Sequence, residues 1–172
     1  VYDATELINK DDFDYTHFGE NIGLINGHII EAYTWAELTN AGSKKNEITV
    51  KITVVRENGD VDVVTENYEI EYTYGTLTVT QRPIVVESES AVFVYNGQDQ
   101  FYDKFKVTEG EGITDGKGSI INGQIPRVVN NTTIQNVWDG KITNKLEIRV
   151  YDGEADVTDN YDITYPEGKQ GT

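Results

Sequence analysis

The chain has 172 residues, 30 of them acidic and 14 basic, for a formal charge of −16, with no cysteine and no methionine. Without cysteine there is no disulfide framework, no thiol catalysis and no thiolate metal site. The acidic excess, unbroken by any Lys/Arg stripe, argues against nucleic acid as a partner and reads as a solvated surface.

No apolar run approaches the ~18 residues of a membrane span, so no membrane insertion by this stretch is expected. No signal peptide is expected within this stretch, and a start in mid-phrase without Met reads as an excised fragment.

Abundant Thr, Val, Ile and Tyr, with little Ala or Leu, favour strands over helices. In chain order, Phe13 and Tyr15 are expected to face inward on an early strand. A turn of helix around Glu31 to Thr39 is the one exception to the strand reading. Ile48, Val50, Ile52 and Val54 alternate with Thr49, Lys51 and Thr53, the pattern of a half-buried strand. Asn58-Gly59 then supplies a hairpin cue. Tyr68, Ile70 and Tyr72 share a face, and Leu77 and Val79 alternate with threonines before Pro83. Ile84 to Val94 reads as a further strand, followed by Phe105 and Val107 facing inward. Leu146, Ile148 and Val150 alternate with Glu147 and Arg149, Asp152-Gly153 cues a hairpin, and Tyr161, Ile163 and Tyr165 share a face.

The second half of this series repeats the first. Val64 to Tyr72 and Val157 to Tyr165 agree at six of nine positions, and two more exchange Glu for Asp. Tyr2 matches Tyr95, Phe13 and Thr16 match Phe105 and Thr108, and Ile25-Asn26-Gly27 matches Ile121-Asn122-Gly123. Gly42 and Asn46 match Gly140 and Asn144. A period near 93 residues is too long for a solenoid unit and suits a small self-sufficient domain.

Two modules are therefore expected, residues 1–82 lacking an entry strand and residues 83–172 lacking an exit strand. The fold class is all-β: two tandem immunoglobulin-like β-sandwich modules, with β-grasp-like modules as the alternative. No Gly/Ser linker divides them, and a short, stiff joint is expected near Gln81-Arg82-Pro83.

Several phrases resemble the YDG/MBG-type tandem repeat modules of bacterial, especially Gram-positive, cell-surface adhesin-like proteins. They are Val1-Tyr2-Asp3-Ala4-Thr5, Gly23 to His28, Gly59 to Tyr72 and Gly75 to Ile84. The match covers most of the first copy and the outer thirds of the second. It departs over Arg127 to Asp139, and Ala4 stands where the family often has Gly. The resemblance implies an extracellular, cell-wall-associated repeat without a catalytic site, whose partners are neighbouring repeats and, if it is adhesive, a host glycan or protein. Asn67 or Asn160 suits a turn that satisfies backbone groups, so the repeated phrase reads as fold.

A residue essential to a function of both copies should occur in both. His28 is replaced by Gln124 and His17 by Glu109, and no Ser-His-Asp pattern accompanies them. Asp152, Glu154, Asp156 and Asp159 could gather oxygen ligands for calcium, but the spacing is not that of an EF-hand and a solvated turn is the simpler reading. Glu57, Asp60, Asp62 and Glu66 are similar without being superposable. Tyr33 and Trp35 could present a stacking surface to a sugar or partner, against a role in packing. No cofactor is expected. No set of Lys, Asn and acid for an isopeptide crosslink is plainly duplicated.

The missing entry and exit strands would leave an unpaired edge at each end of the chain, and such edges recruit other strands. Self-association at high concentration is the expected outcome, and a strictly monomeric sedimentation profile there would count against it.

Overall fold

The computed structural model describes residues 1–8, 23–34 and 36–172. The expectations for Phe13, Tyr15, Thr16, His17 and Trp35 lie outside the described residues. The chain is built from strands: β1 (His28–Thr34), β2 (Gly42–Asn46), β3 (Ile48–Val55), β4 (Val61–Val63), β5 (Gly75–Val79), β6 (Arg82–Ser88), β7 (Phe105–Glu109), β8 (Gln124–Asn131), β9 (Leu146–Asp152), β10 (Ala155–Asp156) and β11 (Tyr161–Thr164). Among the described residues the only helical segments are single 3-10 turns, such as Thr65–Asn67 and Thr158–Asn160.

Two compact units result. The first is Thr5–Val79; the second joins Val1–Ala4 to Thr80–Thr172. They differ from the expected 1–82 and 83–172 only in where Val1–Ala4 and Thr80–Arg82 are counted.

In the first unit β3 is central, antiparallel to β1 (His28 opposite Val54, Thr34 opposite Ile48) and to β4. β2 and β5 form a separate antiparallel pair, with Asn46 opposite Gly75 and Gly42 opposite Val79. In the second unit β9 is flanked by β8 and β10, and a bulge interrupts β8 between Val128 and Asn130. Its other sheet is mixed. β6 lies in the middle, antiparallel to β7 and parallel to β11.

The cores follow the period of two. Leu146, Ile148 and Val150 are buried while Glu147 and Arg149 between them are exposed. Ile84 and Val86 are fully buried on β6. Burying each such side chain contributes about 1.5–3 kcal/mol. The helical turn expected from Glu31 to Thr39 is corrected: Glu31–Thr34 continues β1. Ile30 and Ala32 face inward opposite Ile52 and Val50 on β3, and this pairing overrides the weak local helical pattern. The strand expected from Ile84 to Val94 is regular only as far as Ser88.

The repeat is visible as the same hydrogen bonds made twice. The loop before β1 turns at Gly27 (φ 88) and the loop before β8 at Gly123 (φ 92). His28 N–H donates to Ile25 O at 3.0 Å, as Gln124 N–H does to Ile121 O at 3.0 Å. The Tyr68 hydroxyl accepts Ile25 N–H at 3.1 Å and touches His28 Nδ1 at 2.7 Å. Tyr161 accepts Ile121 N–H at 3.2 Å and donates to Gln124 Oε1 at 2.5 Å. Thr65 Oγ1 accepts Ile52 N–H, and Thr158 Oγ1 accepts Val150 N–H, both at 2.9 Å. Val64 N–H and Val157 N–H return to the carbonyls of the same two residues, at 2.8 and 2.9 Å.

Each unit also has an element for which the other shows no counterpart among the described residues. The second unit lacks the β2–β5 pair, although Gly140–Asn144 matches β2 in sequence. In the first unit Tyr68–Glu71, the match to β11, is not a strand. A strand needs a neighbour, and among the described residues of this unit none takes the place of β6.

The shared tyrosine hydroxyl supplies a test. Tyr161 is 3% exposed, so Tyr161→Phe strands the Ile121 N–H and should lower unfolding free energy by about 1–3 kcal/mol. Tyr68 is half-buried, and Tyr68→Phe should cost less, since water can reach Ile25. Chemical denaturation of both variants checks the order.

Candidate functional site

The most heavily committed polar group is not among those expected from the sequence. Arg82 opens β6 with its side chain fully buried. Its guanidinium makes a bidentate pair with Asp115, Nη1 to Oδ2 at 2.7 Å and Nη2 to Oδ1 at 2.9 Å. Nε donates to Gly118 O at 3.0 Å, Nη2 donates to the same carbonyl, and Nη1 reaches Tyr2 O at 3.3 Å. Together these use all five guanidinium donors, the condition under which a buried cation is tolerated. Lysine, with a compact ammonium, could not reproduce the fork.

Around Arg82 the second unit gathers Val1–Ala4. Tyr2 N–H donates to Thr80 O at 2.7 Å, Gln124 Nε2 donates to the Tyr2 hydroxyl at 2.8 Å, and Lys117 Nζ pairs with Asp3 at 2.6 Å. The Tyr2 and Tyr161 rings meet edge to face, with centroids 5.7 Å apart. Ala4 adopts φ 59, where Gly97, its match in the repeat, has φ 79. An L-residue held in this region costs about 1–2 kcal/mol.

The expected site residues fall as follows. Tyr33 lies on the outward face of β1 and is 40% exposed, with its hydroxyl donating to Glu31 Oε2 at 2.6 Å. That bond raises the phenol above its ordinary pKa. Trp35, its proposed companion, lies outside the described residues. Asp152, Glu154, Asp156 and Asp159 occupy the β9–β10 hairpin and the turn after it. Among the described residues no group of three or more His, Asp or Glu side chains is gathered closely enough to hold a metal ion.

Asp156 is instead committed locally. Its Oδ1 accepts Thr158 Oγ1 at 2.5 Å and Thr158 N–H at 3.0 Å, and its Oδ2 pairs with Arg149 at 3.1 Å. The Thr158 bonds first, then Arg149, hold its carboxyl below the usual range. In the first unit Asp62 pairs with Arg56, and Asp60 Oδ2 accepts Asn58 Nδ2 at 2.7 Å. One carboxyl moves the other way. Glu6 is pushed up by a hydrogen bond with Glu37, and both side chains lie on the exposed surface.

The second unit also carries an apolar groove of about 620 Å³. Val92 and Phe93 line it from the chain after β6, Phe101 from the chain before β7, and Ile134, Val137 and Ile142 from the far side. Val92 is 98% exposed and Val137 77%. The sequence signal for it was the run Ala91 to Tyr95, apolar on both faces. The signal for the Arg82 clamp was weaker: an arginine directly before a proline, with Asp115 unremarkable in a glycine-rich loop.

The Arg82 hydrogen bond, then the Lys117 N–H, hold the Asp115 carboxyl well below the usual carboxylate range. Lys169, by its hydrogen bond, also lowers the Glu87 carboxyl. A carboxyl with a lowered folded pKa stabilises above its unfolded pKa, and that contribution is lost as pH falls towards the folded value. Stability should therefore decline from about pH 4 downward. Asp115→Asn should melt below the parent at pH 7, and the difference should narrow towards pH 2. Thermal melts across that range test both statements.

Comparison with family models, with curated proteins and with solved structures returns no match for this chain.

Proposed function

We propose that this chain is a pair of structural repeat modules of a bacterial surface protein of the YDG/MBG type, serving outside the cell as a wall-associated spacer without catalysis. One observation carries the reading. The residues that recur in both copies (Thr65 and Thr158, Tyr68 and Tyr161) make the same internal hydrogen bonds in both. What selection for a shared ligand site would duplicate is here committed to the fold. The acidic, cysteine-free composition agrees with such a setting.

For the module fold, the pairing of β6 favours the β-grasp-like arrangement over the immunoglobulin-like sandwich. Ile84 and Val85 pair in parallel with Ile163 and Thr164 on one side and antiparallel with Glu109 and Thr108 on the other. In a sandwich of that kind the first strand lies at a sheet edge.

A second reading is an adhesion module for a host glycan or protein. It rests on the outward face of β1, where Ile29 is 51% exposed and Tyr33 40%. The two readings separate on a mucin and glycan array. The spacer reading expects no saturable binding by the folded chain. Saturable binding lost in Tyr33→Ala/Trp35→Ala would replace it with the adhesion reading and place the site in the first unit.

A further inference from the structure

In the first unit β5 completes a sheet by pairing with β2, and its Leu77 and Val79 are 5% and 7% exposed. The second unit has begun the same pairing. Asn144 N–H donates to Gly171 O at 2.7 Å, joining the residues that match Asn46 and Gly75, which face each other across β2 and β5. On the opposite side Gly171 N–H donates to Ser88 O at 3.0 Å and Ala91 N–H to Thr172 O at 3.2 Å. Gly171 and Thr172, though in no regular strand, thus run between two backbone walls. The fit is close enough that a Cβ on Gly171 would stand 2.2 Å from the carbonyl carbon of Glu89. A Cβ on Gly75 would meet nothing within 4 Å.

Beyond Thr172 the two walls continue without a strand between them. Val92 and Phe93 on one side, and Lys141 and Ile142 on the other, belong to no strand and border the apolar groove. In the first unit Lys44, the match to Ile142, faces Leu77, and Gly42, the match to Gly140, faces Val79.

We propose that the groove is a strand-acceptor site. It takes an extended segment joined to Thr172, with aliphatic side chains in the register of Leu77 and Val79. The first aliphatic residue lies opposite Ile142 and the second opposite Gly140. The strand covers Val92, Phe93 and Val137, whose exposure is otherwise unusual for a folded module, and its backbone pairs with both walls. A second copy is the weaker occupant. Its own strand of this pattern, β5, is already paired and buried, and lending it out would dismantle the β2–β5 sheet. The proposal does not depend on the surface-protein reading.

The test extends the full chain after Thr172 by Leu-Thr-Val-Thr, with Ser-Asn-Ser-Asn as the control extension. The aliphatic extension should slow amide exchange at Phe93 and at Lys141 to Thr143 by at least about tenfold. Exchange at Lys44 to Asn46 should not change, which reports that the first unit is folded in both chains. Val92→Asp alters an exposed groove residue and should remove the gain. Equal exchange in the two extended chains would overturn the proposal, as would a gain that survives Val92→Asp.

Discussion

One phenol hydroxyl per unit closes the loop that feeds the longest strand pair. A module whose described residues form no helix longer than a 3-10 turn, and which has no disulfide, has few means of fixing a loop, and each loop brings backbone donors that must be satisfied. Tyr68 and Tyr161 do this by accepting Ile25 N–H and Ile121 N–H. Thr65 and Thr158 do the same for the central strand, taking Ile52 N–H and Val150 N–H where a ladder partner is absent. The repeated phrase is thus a set of side chains standing in for missing backbone partners, and the sheets β1-β3-β4 and β8-β9-β10 rest on it.

The second unit adds a different solution at its entry strand. Burying a guanidinium is unfavourable unless every donor is met, and here the acceptors come from Asp115, Gly118 and Tyr2. The clamp therefore defines the unit more sharply than its hydrophobic core does. It ties the first residues of the chain to β6 and to the loop before β8. Gln124 extends the network by bridging the hydroxyls of Tyr2 and Tyr161. Where the second unit has Gln124, the first has His28, whose ring packs against Tyr68 with centroids 5.9 Å apart.

Much of this was legible from alternation alone. Leu146, Ile148 and Val150, and Leu77 and Val79, face inward as their spacing requires, because a period of two admits one buried face. Glu31 to Thr34 was misread because β1 has a short and chemically mixed pattern, and only the partner β3 decides its state. The strand from Ile84 ends at Ser88 because beyond it the pairing is irregular, single bonds from Glu89 to Lys104 and from Ala91 to Thr172, which no local pattern reports. Ala4 was noticed as a departure from glycine, and its φ of 59 shows the position does require the left-handed region. Of the candidate site residues, Tyr33 faces outward as the sequence allowed. Asp156 satisfies Thr158 and Arg149, partners whose hydrogen-bonding roles sequence spacing does not reveal.

The Arg82 clamp also bears on the order in which the chain can fold. Its bond to Tyr2 joins residues 80 apart in sequence, and the bond to Asp115 joins residues 33 apart. Closing the longer loop carries the larger entropy loss, so the local partners should meet Arg82 first and Tyr2 last. Val1–Ala4 is synthesised before Thr80–Thr172, the rest of the unit described, yet must wait for it. High contact order of this kind slows folding. Until the final closure, the carbonyl of Tyr2 and one face of the Tyr161 ring have no partner, and a nascent chain would carry that open seam until Arg82 and Tyr161 had been made.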